Sequence, residues 1–130
     1  MKYILLMSGT KAGRDTYMAW SSEDKQKHMA VLHGIAKELT ESGEFVDTNG
    51  LTGPEEARVV RGITKGLPVT DGIFPESKEF LLGYWIIDVK SAERAYEIAG
   101  RISSGPGPGG VPTNMPIEVR PFATYAPQSK

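Results

Sequence analysis

Residues 80–89, FLLGYWIIDV, are apolar at both parities: Leu81, Gly83, Trp85, Ile87 and Val89 on one side, Leu82, Tyr84 and Ile86 on the other before Asp88. Side chains alternate between the two faces of a strand, so a strand of this kind is covered on both. The opening residues 2–7, KYILLM, repeat the pattern and stop at Ser8-Gly9. Both segments predict central strands of one sheet. A chain of 130 residues fits one domain, here residues 1–130 as a single unit. It holds two segments of helical periodicity, and two helices cover only one face of a sheet. The other face would remain a large apolar patch unless a second copy covered it. The expectation is therefore a homodimer paired face to face through the sheet, burying on the order of 2,000 Å² or more in total.

The first helix is predicted over residues 22–41. Ser21 lies three residues before Asp24, close to a capping box, and Met29, Leu32, Ile35, Ala36 and Leu39 recur at three- and four-residue spacing. Gly43 ends it. Residues 9–20 show no clean period and read as a loop leading into that helix. Residues 45–70 carry short strand signals broken by Asn49-Gly50 and Lys65-Gly66, which read as an antiparallel hairpin. Ser91 caps a second helix over 92–102 with Ala95, Ile98, Ala99 and Ile102 on one side, and 117–120 form a last short strand. Strand, helix, hairpin, strand, helix, strand is an α+β plan. Two helices cover one face of a mostly antiparallel sheet, as in ferredoxin-like folds.

Fifteen Lys and Arg against sixteen Asp and Glu give a net charge of −1, so no overall basic field is present to hold a phosphate backbone, and nucleic acid is not expected as a partner. The chain has no cysteine. That removes thiolate metal sites and cysteine nucleophiles, and it fits a reducing compartment, so the expected location is the cytoplasm. The longest apolar stretch stops at Asp88 after eight residues, well short of the roughly 20 of a membrane helix. Nor does the run 3–7 reach the length of a signal h-region. No membrane association is expected.

Gly105, Gly107 and Gly110 formally match G-x-G-x-x-G, yet a helix precedes them and Pro106 and Pro108 remove donors, so a nucleotide site is not expected there. The loop 103–110 is expected to be a stiff wall packed near the loop that follows residue 70. His28 and His33 lie about 140° apart around the helix and cannot share a metal. Asp24, four residues before His28, has the spacing to orient its ring, but nothing else titratable converges, and two half-exposed histidines are the simpler expectation. Neither a cofactor nor a metal is expected.

The informative segment is 71–79, DGIFPESKE. Asp71-Gly72 signals a turn, and Asp71, Glu76, Lys78 and Glu79 place three carboxylates and an ammonium within nine residues at the mouth of the sheet. Close carboxylates raise one another's pKa and a lysine lowers it, which is how a site acid is tuned. Spacing alone favours simple solvation and pairing of these charges.

The stretch DGIFPESKEFLLGYWIIDV resembles the signature of DGPF-domain proteins in the YCII-related superfamily, with Asp71, Gly72, Phe74, Glu76, Lys78, Glu79, Gly83 and Tyr84 matching. The opening KYILLM, the Ser21-x-Glu23 start of the first helix and the closing Ile117-Glu118-Val119-Arg120-Pro121-Phe122 are similar to the family as well, so nearly the whole chain is covered. Ile73 stands where the signature has proline, and Leu82 where it has its first glycine. The resemblance implies a ferredoxin-like chain that pairs into a dimeric α+β barrel with a cleft near the signature loop. The biochemical role of the family is largely undetermined, and the expectation for this chain is a small polar or amphipathic ligand in that cleft. Asp71 is then the candidate acid or base, Glu76 and Glu79 tune it or bind a polar group, Lys78 holds an anion, and Tyr84 or Arg120 orients the ligand. Some family members lie beside genes for extracytoplasmic sigma factors, so a non-enzymatic regulatory partner of such a factor is the competing expectation. The His-Asp pair of some relatives does not carry over: neither His28 nor His33 is in clean register with its histidine, His33 being nearest.

Overall fold

The computed structural model describes residues 1–62, 69–71 and 79–124. Their elements run β1 (Lys2–Gly9), α1 (Lys11–Met18), α2 (Ser22–Glu41), β2 (Phe45–Gly50), β3 (Arg58–Val60), β4 (Val69–Asp71), β5 (Phe80–Asp88), α3 (Ala92–Ser103) and β6 (Ile117–Pro121). Single 3-10 turns lie at Pro54–Glu56 and Pro108–Gly110. Four strands form an antiparallel sheet in the order β2-β5-β1-β6. The two strands apolar at both parities are the central ones, and the shorter, more polar β2 and β6 are the edges. Pro121 ends β6, and polar edges of this kind resist further strand pairing. Each helical crossover, β1-α2-β2 and β5-α3-β6, skips one strand, which is the ferredoxin-like α+β arrangement expected.

The helices form where the sequence caps them. Ser21 Oγ accepts from the Asp24 amide at 3.1 Å and Ser91 Oγ from the Arg94 amide at 3.1 Å. Past the end of α2, Gly43 takes the left-handed conformation at φ 80°. Leu32, Ile35 and Leu39 from α2 meet Ala95, Ile98, Ala99 and Ile102 from α3 over Tyr3, Leu5, Trp85, Ile87 and Val89 of the sheet. Leu5, Leu39, Ile87 and Ile98 are fully buried. Glu44, just before β2, receives Arg94 Nε at 2.9 Å and Nη2 at 2.8 Å, and Ser42 Oγ at 2.7 Å. This forked pair ties the start of α3 to the start of β2.

Two local expectations are corrected. Residues 11–18 are a helix rather than a loop. Thr10 Oγ1 caps it by accepting from the Gly13 amide at 3.0 Å, and Lys25 Nζ closes its far end on the Met18 carbonyl at 2.9 Å. It buries no residue, so it has none of the apolar period that marks a helix in sequence. Residues 45–50 do not join the hairpin but form an edge strand on β5, and the hairpin is β3 with β4, a separate two-stranded unit.

The helices cover the sheet on one face. On the open face the register gives two full rows: Asp47, Ile86, Ile4 and Arg120, then Asn49, Tyr84, Leu6 and Glu118, each in the order β2, β5, β1, β6. Ile4, Leu6, Tyr84 and Ile86 are only half-buried. Gly83 lies opposite Gly50 in the β2–β5 ladder, and a Cβ there would stand 2.9 Å from the Asn49 carbonyl oxygen.

Candidate functional site

The end of the sheet at which β1 and β2 finish and β5 begins gathers the irregular segments, because every antiparallel strand turns there. Beyond β2 the ladder extends one step, the Leu51 amide donating to the Leu82 carbonyl at 2.8 Å, and the chain then breaks away at Gly53-Pro54. Leu51, Thr52, Gly53, Pro54, Glu56 and Ala57 on one side and Phe80 and Leu81 on the other enclose a depression of about 320 Å³. Phe80 is buried, but Leu51 stays 48% and Leu81 40% exposed on its walls. Arg14 of α1 braces the turn from behind through Glu55, at 3.4 and 3.5 Å. On the next strand Arg58 Nη1 donates to the carbonyls of Glu55 at 3.1 Å and Ala57 at 2.7 Å, which holds its guanidinium against the turn.

Of the residues singled out in sequence, Asp71 ends β4 with its backbone opposite Arg58, one residue from the Ala57 wall. Glu79 is exposed immediately before β5. Glu76 and Lys78 lie outside the described residues, as does the side chain of Asp71. Tyr84 and Arg120 stand on the open face of the sheet. The Tyr84 hydroxyl donates to Asp47 Oδ2 at 2.8 Å and accepts from Asn49 Nδ2 at 3.1 Å. Arg120 reaches Glu118 at 3.6 Å across two exposed side chains, a weak pair. Asp47 and Asn49 thus join Tyr84 in a trio that sequence reasoning missed, since Asn49-Gly50 reads as a turn.

His28 is buried, 7% exposed, and not half-exposed as expected. Its ring partner is not Asp24. Nδ1 donates to the Pro106 carbonyl at 3.1 Å, Trp20 meets the ring edge-on at 5.6 Å, and Tyr17 does so at 6.3 Å. Gly105 permits the approach, for a Cβ there would stand 2.9 Å from His28 Cε1. The Gly/Pro loop is a tight structure clamped by Gly107 N–H to Val111 O at 2.7 Å and Thr113 N–H to Gly105 O at 3.0 Å. Its contacts with His28 and Trp20 dock it on the α1–α2 corner. His33 is exposed. Among the described residues no three His, Asp or Glu side chains converge to hold a metal ion, and no helix is long and apolar enough to cross a membrane.

Compared with known protein families, the chain matches the YCII-related domain over residues 1–111. It is also 32% identical over 109 residues to an uncharacterized protein of Rhizobium meliloti (strain 1021), a match that covers 84% of each chain.

Proposed function

Because the chain belongs to the YCII-related domain family, we propose that it is a cytoplasmic homodimer that binds a small amphipathic ligand in the depression beside β4 and β5 and acts on it by acid/base chemistry from Asp71. One observation carries this reading: a depression of about 320 Å³ keeps Leu51 and Leu81 in contact with solvent, and its Ala57 wall leads into the strand that pairs with Asp71. Leu51, Pro54, Phe80 and Leu81 would take the apolar body of the ligand. Thr52 and Glu56 stand among them as the polar groups that fix its orientation. A hydroxyl or ammonium donor on the ligand suits the carboxylate of Glu56, and Asp71 would act on it as the acid or base.

The test is a thermal-shift and calorimetric screen of small amines, hydroxy acids and polyols against the native protein and Asp71→Asn. Asparagine keeps the size of aspartate at this last residue of β4, so the variant should melt within about 2 °C of native. Affinity for any hit should fall at least tenfold. An Asp71→Asn protein that binds and turns over as the native one does would refute the assignment.

A further inference from the structure

The wall of the depression over residues 52–57 has little of its own to hold it in place. Its last bond to the main sheet is the Leu51 amide on the Leu82 carbonyl, and among the described residues the strand that follows it, β3, pairs only with β4. The bonds inside the wall close on themselves. The Glu56 amide donates to the Gly53 carbonyl and the Ala57 amide to the Pro54 carbonyl, both at 3.0 Å, and Arg58 donates to the carbonyls of Glu55 and Ala57. Such a turn keeps its shape but not its place. Among the described residues, the polar link from this wall to the rest of the fold is Arg14 on Glu55, at 3.4 and 3.5 Å.

The helix that carries Arg14 is fixed at both ends. Thr10 caps α1 where the chain leaves β1, and Lys25 closes its far end on the Met18 carbonyl. Beside that end Trp20 packs against Tyr17 at 4.9 Å and against the buried His28 at 5.6 Å. Yet α1 buries no residue of its own, so the apolar core does not account for its position. Among the described residues, Arg14 is the one member of α1 that forms a hydrogen bond beyond α2. Gly53 makes the approach possible: a Cβ there would stand 2.5 Å from Arg14 Cζ, so the guanidinium occupies the place of a side chain at position 53.

Resting on the ligand reading above, we propose that Arg14 is the positioning residue of the depression: from α1 its guanidinium holds the 53–57 turn, and Glu56 with it, at a set distance from Phe80 and Leu81, and so fixes the width open to a ligand. Arg14 is 30% and Glu55 60% exposed, and an exposed pair of this length adds little to global stability. Its loss therefore frees the wall without unfolding the domain. A wall set in advance saves the cost of ordering it when a ligand arrives, which is how a residue outside the lining governs affinity.

Because the chain has no cysteine, spin labels can be placed at Val60→Cys, just past the wall, and at Tyr96→Cys on α3, both exposed, and their separation read by pulsed electron resonance. In this labelled protein Arg14→Gln should broaden the distance distribution roughly twofold, while its urea midpoint stays at the native value. Gly53→Ala, which drives the guanidinium off the turn, should broaden it as well. Arg14→Glu combined with Glu55→Arg restores opposite charges and should restore the native width. Calorimetry on the unlabelled proteins with isopentylamine, a branched apolar body bearing an ammonium for Glu56, gives the second readout. Its affinity should fall about tenfold in Arg14→Gln and return in the exchanged pair. A native width in Arg14→Gln, or no recovery in the exchanged pair, would overturn the positioning role and leave the ligand reading in place wherever the amine still binds. A wall that loosens while the amine binds as before would overturn the depression as the ligand's site. Should the amine not bind the native protein, the ligand reading fails for amines, and the labels still decide what Arg14 holds.

Discussion

Replacing Glu44 with glutamine removes the charge from the forked pair that joins α3 to β2. The hydrogen bonds from Arg94, with Ser42 and the nearby charges of Arg94 and Lys90 acting in the same direction against burial, hold the Glu44 carboxyl at about 2 in place of 4.5. A drop of about 2.5 units at about 1.36 kcal/mol per unit sets a ceiling of roughly 3.4 kcal/mol. Arg94 is 34% exposed, so solvent screening brings this to about 2 kcal/mol. The folded-state pKa lies below the unfolded one. The stabilisation is thus complete above pH 4.5, fades as the pH falls from 4.5 towards 2, and is absent below. Urea unfolding of native protein and Glu44→Gln at pH 7, 4 and 2.5 measures it. The variant should be about 2 kcal/mol less stable at pH 7, and the gap should narrow steadily below pH 4.5. A gap under about 0.5 kcal/mol at pH 7, or one that persists unchanged at pH 2.5, would show that the pair does not hold the two elements together.

Gly83→Ala forces a methyl group against the Asn49 carbonyl, 2.9 Å away across the β2–β5 ladder. It should cost about 1–3 kcal/mol, read as a lower urea midpoint, and an unchanged midpoint would contradict the closeness of the strands. His28→Phe keeps the ring packed against Trp20 but removes the donor to Pro106, so the Gly107 and Thr113 amides should exchange with deuterium several-fold faster while global stability falls by about 1 kcal/mol. Unchanged exchange would mean that the loop holds itself.

The layers of the fold were legible because the burial pattern and the sequence pattern coincide. β1 and β5 are apolar at both parities and are the central strands, while Leu32, Ile35 and Leu39, and Ala95, Ile98, Ala99 and Ile102, share helix faces and share the core. α1 was not legible, since its eight residues are fixed by a cap and by Lys25 rather than by a buried stripe. His28 was misjudged for a related reason. Its burial depends on a loop almost eighty residues further along the chain, and spacing within the helix carries no trace of that partner.

The trio on the open face escaped sequence reading through a single extra residue. Phe45 pairs with Ile87 and Asp47 with the adjacent Ile86, so Val46 has no partner and β2 bulges there. In a regular strand Phe45 and Asp47, two apart, would share a face, and the carboxylate would point into the core beside Trp85. The bulge separates them: Phe45 packs edge-on against Trp85 at 6.2 Å, and Asp47 turns to the open face within reach of the Tyr84 hydroxyl. β5 does the same at its other end. Gly83 stands opposite Met7 and Leu81 opposite Ser8, which leaves Leu82 as the residue in excess, at the position where the signature has glycine. This second irregularity brings Phe80 opposite Gly9, buried at the edge of the depression. Both sets of candidate functional residues are therefore placed by bulges, which shift a strand by one residue and so reverse the parity from which a sequence is read. The central ladder between them stays regular, and it is there that alternation and burial agree residue by residue.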